Sequence, residues 1–321
     1  MKHILLFLFF SSYIFFSSHL FALDKCSTEE KDSISSMDEL LSYRTHPEFI
    51  SKEITSERKH YKKYLYTIKA QNQDKEEITK FYYYHTNKGV GVKKPTVFLF
   101  SNVGGITILE RYIGFYLAKR GISTVVVELD DIKNVDRLEK VSPYLVSSLF
   151  SSMNIVDFIA DEPYTDKDKL ATIGVSLGGF RALYLSAIDT RIKSATLVVS
   201  GLSITETIAS STLEMVEEIR SEQMRAVGLD PLQDKADYEL LLKQQIMFNV
   251  EDLLCRKNPE NYLLFQSKND TIVPYSEQNR LYEALKKPKR TLSNHFGHKA
   301  TAIGFGMTKL GDTVKFMYSN W

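Results

Sequence analysis

Thr172-Ile173-Gly174-Val175-Ser176-Leu177-Gly178-Gly179-Phe180 is a Gly-x-Ser-x-Gly pattern caught between two periodicities. Upstream, Leu170–Val175 is a short apolar run of the kind that forms a buried strand. Downstream, Phe180–Ile188 is rich in Ala and Leu and reads as a helix. The pattern alone is short and common. Set between a strand and a helix, it specifies a sharp turn that holds a serine in strained backbone geometry. Strand and helix pack too closely there for side chains, so Gly174 and Gly178 are small. The turn pushes the Ser176 hydroxyl out at the carboxyl edge of a sheet. The first amides of the helix then face the place where an oxyanion would form.

Working outward, short apolar runs alternate with amphipathic stretches. Strands are expected at Thr96–Phe100, Thr124–Glu128, Leu170–Val175, Ala195–Val199, Tyr262–Phe265 and Lys289–Leu292. Helices are expected at Glu110–Arg120, Val146–Ala160, Phe180–Ile188 and Ser276–Leu285, with a last one near Thr308–Tyr318. Such alternation implies parallel crossovers. The fold class is therefore α/β, a mostly parallel central sheet with helices on both faces. Tyr61–Ala70 and Ile78–Thr86 read as an N-terminal antiparallel hairpin, and residues 23–60 as a helical extension before it. The domain proper is expected to span 61–321. Between Val199 and Tyr262 the alternation stops, and helix formers dominate. This insertion, at about 202–256, reads as a helical cap or lid. Met215, Met224, Met247 and Phe248 are its candidate substrate-binding residues, since methionine suits adaptable apolar pockets.

The elbow, taken with two later segments, makes the chain resemble the α/β-hydrolase superfamily. In that family an acid and then a histidine follow the nucleophile in chain order. Asp270 lies at the end of Tyr262-Leu263-Leu264-Phe265-Gln266-Ser267-Lys268-Asn269-Asp270 and is followed by Val273-Pro274. His298, preceded by Gly297, follows the last short strand, with His295 the other histidine nearby. The resemblance implies a catalytic set of Ser176, Asp270 and His298. It also implies an oxyanion hole from the amides of Leu177 and Val103. The dienelactone hydrolase and carboxylesterase group is the most similar subgroup. Many dienelactone hydrolases carry Cys where this chain has Ser176, which favours general ester chemistry. Ser101-Asn102 stands where many relatives have His-Gly.

Composition narrows the remaining classes. With 41 Lys+Arg against 40 Asp+Glu, the chain has no electrostatic case for nucleic acid. No zinc-type cluster, dinucleotide fingerprint or P-loop is present, so neither a metal nor another cofactor is expected. Residues 1–22 have the layout of a signal peptide: Lys2, an apolar run from Ile4, then Ser17-Ser18 and a small Ala22. An exported, periplasmic or secreted chain with no stable membrane span after cleavage is expected; an uncleaved N-terminal anchor is the alternative. Export permits Cys26 and Cys255 to pair, whereas a merely buried Cys255 would equally suit Leu253-Leu254-Cys255. The expected activity is hydrolysis of a small-molecule ester through an acyl-enzyme. An acyltransferase on the same residues and a catalytically silent binding protein are the alternatives. Oligomeric state is not legible.

Overall fold

The computed structural model describes residues 26–72, 75–89, 91–103, 105–127, 135–246 and 249–321. The expected leader at 1–22 lies outside the described residues, as do Met247 and Phe248. The described residues form a nine-stranded sheet in the order β1-β2-β3-β5-β4-β6-β7-β8-β9. Strands β1 (Glu48–Arg58), β2 (Tyr61–Asn72) and β3 (Lys75–Thr86) make an antiparallel meander. β5 (Ser123–Val127) joins it antiparallel to β3. From there β4 (Lys94–Phe100), β6 (Thr165–Val175), β7 (Ile192–Val198), β8 (Tyr262–Ser267) and β9 (Lys289–Ser293) continue in parallel.

The parallel strands are continuous apolar runs because both faces are covered. Phe98, Leu99 and Phe100 are all fully buried. One face packs on α1 (Thr28–Ser42), α3 (Val141–Asp161), α4 (Leu177–Ile188) and α8 (Tyr275–Ala284). The other packs on α2 (Ile108–Ala118), α9 (His298–Thr308) and α10 (Leu310–Asn320). Strand order reverses at β4, so a crevice opens beyond the carboxyl ends of β4 and β6, the usual ligand position in open α/β sheets.

Two expectations need correcting. Residues 23–60 are not helical throughout: α1 is, but Glu48–Arg58 is the edge strand β1. Its strand formers Phe49, Ile50, Ile54 and Thr55 are scattered among polar residues without a clear alternation, and the ladder to β2 (Lys52↔Tyr66, Ile54↔Tyr64) fixes the conformation. The hairpin is thereby the second half of a three-stranded meander. The stretch before the last helix is the other: the expected last helix is α10, but a further helix, α9, precedes it and is divided from it at Lys309.

The insertion holds α5 (Ile204–Ser210), α6 (Glu214–Ala226) and α7 (Lys235–Gln244), followed by a 3-10 stretch at Val250–Arg256. It has a small core around Ile219, Met224, Tyr238 and Leu242, completed by Val135, Leu138 and Val141 at the entry to α3. Its root is tied to α8 by Arg280, which pairs with Glu277 (2.8 Å), Glu251 (2.9 Å) and Glu206. Glu277 also accepts from Ser203 N at 3.2 Å, and burial raises its carboxyl above the usual range. At the opposite end of the chain, Cys26 and Cys255 form a disulfide with a Cα separation of 5.3 Å across 229 residues. It fastens the start of α1 to the 3-10 stretch below the cap.

Candidate active site

Ser176 sits between β6 and α4 with φ 56° and ψ −122°. A non-glycine residue with positive φ is strained, by roughly 1–3 kcal/mol, and persists only where packing over-determines it. Three glycines supply that packing. A Cβ on Gly174 would overlap the Gly178 carbonyl, one on Gly178 would overlap the Phe100 carbonyl, and one on Gly179 would run into Ser200. Gly174 and Gly178 were legible in the motif; the equal demand at Gly179 was not, because Ser200 comes from the end of β7. Ser176 N donates to Val198 O at 2.9 Å and Ser176 O accepts from Gly179 N at 2.8 Å, which completes the turn. Val199, beside it, also has positive φ (45°), an uncommon state for a β-branched residue.

The close approach at Gly178 has a second effect. It sets the loop after β4 directly against the start of α4, so Val103 and Leu177 line one cavity with Ser176. Leu177 N lies in the first turn of α4, where amides have no intrahelical partner. The exit of the β4 loop is fixed by a capping box, with Thr107 N donating to Glu110 Oε2 at 2.8 Å and Leu109 N to Thr107 Oγ1 at 3.2 Å.

Asp270 and His298 meet. His298 Nδ1 lies 2.7 Å from Asp270 Oδ2, with the Asp270 side chain fully buried and that of His298 nearly so. Oδ1 of Asp270 accepts from Ile272 N (2.9 Å) and Val273 N (3.0 Å). Oδ2 also accepts from Gln278 Nε2 at 2.8 Å. Gln278 is itself fixed, accepting from Ser267 N (3.0 Å) and donating to Val273 O (2.8 Å). The two loops are stitched to each other. Lys268 N donates to Ser293 O (2.9 Å), Asn269 Nδ2 to Asn294 O (3.0 Å), and Ser267 Oγ to Phe296 O. His295 is exposed and does not bond Asp270. Gln278 escaped the reading of the sequence, since a glutamine on an amphipathic helix gives no signal of burial.

Ser176, Asp270 and His298 therefore follow β6, β8 and β9 at one edge of parallel strands, and Ser176 shares its cavity with Ile272 and Val273 of the Asp270 loop. Among the described residues no hydrogen bond joins Ser176 to His298. Such bonds are often loose before substrate arrives. The cavity is roofed by the cap through Ile204, Ile208, Leu213 and Val216. Met224 is wholly buried in the cap core and Met215 packs beside it, so neither lines this cavity. Aliphatic residues of α5, and of the turn into α6, line it instead.

This arrangement is that of the α/β-hydrolase fold. Residues 151–300, a stretch holding Ser176, Asp270 and His298, match the prolyl oligopeptidase family. The chain is similar to acetyl xylan esterase 1 from Thermoanaerobacterium sp. JW/SL YS485, with TM-score 0.68 at 14% identity over 92% of this chain and 95% of that one. Acetyl xylan esterase from Paenibacillus sp. R4 gives TM-score 0.68 at 15% identity over 92% and 96%. A puromycin-hydrolysing peptidase from Mycobacterium tuberculosis gives TM-score 0.57 at 14% identity over 80% of this chain and 46% of that one. No curated protein matches the chain in sequence.

Proposed function

We propose that the protein is an exported serine hydrolase that cleaves a small-molecule ester. The observation that carries this reading is the buried, fourfold-held Asp270 bonded to His298 beside a strained, cavity-facing Ser176. The Asp270 bond to Nδ1 fixes the imidazole tautomer and leaves Nε2 as the base. His298 takes the Ser176 proton as Oγ bonds to the ester carbonyl carbon. The Leu177 and Val103 amides stabilise the resulting oxyanion, a contribution of about 3–4 kcal/mol for a well-placed donor. The carbon–oxygen bond to the alcohol then breaks, and the alcohol leaves with the proton from His298. Water, deprotonated by His298, attacks the acyl-enzyme, and the acid departs as Ser176 regains its proton. The cap acts as a lid over the bound acyl group. The disulfide supports export, because such a bond persists in oxidising compartments. Among the described residues no helix is long and apolar enough to cross a membrane.

Turnover of a simple p-nitrophenyl ester tests the reading. Ser176→Ala should lose at least 10³-fold in kcat while keeping the wild-type circular dichroism spectrum. Hydrolysis that survives the substitution would overturn the assignment. The match to the prolyl oligopeptidase family favours a second reading, cleavage of a peptide bond. Peptidyl anilides assayed beside esters separate the two.

A further inference from the structure

α2 and α9 lie side by side on the sheet face opposite α3 and α4, with Leu109 against Gly306. Ile108 and Tyr112 stand one turn apart on α2, and Ile303 and Met307 one turn apart on α9. All four are exposed, Ile108 by 83%, Met307 by 74% and Ile303 by 56%. Phe115 continues the α2 stripe, with its ring 6.2 Å from that of His60 in the β1–β2 turn. Single exposed apolar residues are ordinary, but a stripe shared by two adjacent helices marks an interaction surface. The charges around it are of one sign. Arg111, Lys119 and Arg120 lie on α2 or just past its end, Lys299 in the first turn of α9, and Arg58 and Lys59 in the turn beside Phe115. Residues 295–311 hold no carboxylate, and residues 106–121 hold only Glu110, which is buried in its capping box. The next ones along the chain are paired, Asp312 with Lys309 at 3.6 Å and Glu57 with Lys62 at 3.0 Å. In a chain of net charge +1 this is a local excess of cations. A second copy seated here about a two-fold axis would set those cations against themselves. An anionic lipid surface suits both features, since apolar side chains enter the acyl boundary while the cations stay among the headgroups.

We infer that the face formed by α2 and α9 docks the protein peripherally on a membrane of anionic phospholipid. This stands independently of the hydrolase reading. Both helices start at the candidate site, α9 with His298 and α2 behind the loop of Val103, so docking brings that edge of the sheet beside the lipid. Each cation near such a surface is worth roughly fivefold in partition, and salt screens the gain.

Co-sedimentation with vesicles gives the test. Vesicles of about 30% phosphatidylglycerol in phosphatidylcholine should bind the protein at least about tenfold more strongly than pure phosphatidylcholine at about 0.1 M salt, and lose that preference at about 0.5 M. Ile108→Asp combined with Met307→Asp should cut binding at least about tenfold. Lys119→Glu combined with Lys299→Glu should remove the preference for the anionic lipid. Leu232→Asp, at an apolar residue of the cap that is equally exposed, should leave binding within about twofold. Residues 1–22 are common to every variant, so differences between variants report the face, and circular dichroism confirms that each is folded. Equal binding to the two vesicle types overturns the inference, as does binding unmoved in both folded double variants. A dimer that Ile108→Asp with Met307→Asp dissolves would make the face a contact between copies, and overturns it too. A monomer that binds neither vesicle does the same and leaves a protein partner for the face.

Discussion

At the scale of single residues, the account turns on how Asp270 is held and aimed. Its carboxylate takes two backbone amides on one oxygen and shares the other between Gln278 and His298. Among the described residues, Gln278 is the one side-chain donor to that shared oxygen besides the histidine, and it is fully buried. Removing it by Gln278→Ala should lower kcat by about 10–100-fold, the range for a lost hydrogen bond to a charged group, with a smaller change in KM. Gln278→Glu, which brings a second carboxylate to Asp270, should not rescue. Steady-state kinetics on both variants check this, and an unchanged kcat in folded Gln278→Ala would remove the residue from any positioning role. Lys257 provides a separate residue-scale test, through stability. Its ammonium is buried and donates to Ile192 O at 2.7 Å, and desolvation lowers its pKa from 10.5 to about 8. Between those values the unfolded chain binds more protons than the folded one, so stability should rise with pH across that window. The gain should reach at most roughly 3 kcal/mol. Urea unfolding at pH 7.5 and 9.5 should show the rise in the wild type and not in Lys257→Met; equal behaviour of the two would contradict it.

At the scale of elements, the turn at Ser176 and the helix that begins at His298 make opposite demands on glycine. A Cβ at Gly174 meets the backbone of α4, whereas one at Gly304, inside α9, meets nothing within 4 Å. Gly174→Ala should therefore lower the melting temperature and abolish ester hydrolysis, because the turn that holds Ser176 has to open. Gly304→Ala should stabilise by about 0.4–1 kcal/mol through the lost entropy of the unfolded chain. Thermal unfolding monitored by circular dichroism distinguishes the two signs. The parallel strands were legible for a physical reason: burial on both faces leaves a run such as Val97-Phe98-Leu99-Phe100 with no polar interruption. The edge strand β1 was not legible. Its burial is slight, its side chains are mostly polar, and its partner is non-local. The cap was legible as helical, but its lining was not. Met224 faces the cap core rather than Ser176, and the spacing of apolar residues cannot say which of two cores a helix face joins.

At the scale of the whole molecule, the site is assembled from loops whose relation depends on the sheet. Ser176, Asp270 and His298 are far apart in sequence, yet parallel strands put the ends of β6, β8 and β9 on one edge. Their order along the chain was readable, while the bonds that hold them were not, because Gln278 and the stitched loops arise only after folding. The disulfide works on the same scale. Closing 229 residues removes chain entropy worth about 5 kcal/mol at most, and it anchors α1 beneath the root of the cap. The cap, the disulfide and the Arg280 cluster thus brace one flank of the molecule, beside the cavity at Ser176. Whether this scaffold does chemistry is decided by the reactivity of a single hydroxyl. Incubation with a fluorophosphonate followed by peptide mass mapping should find one adduct, on Ser176, formed by the wild type and lost in both Ser176→Ala and His298→Ala. An unmodified wild type, or an adduct that persists without His298, would contradict the account.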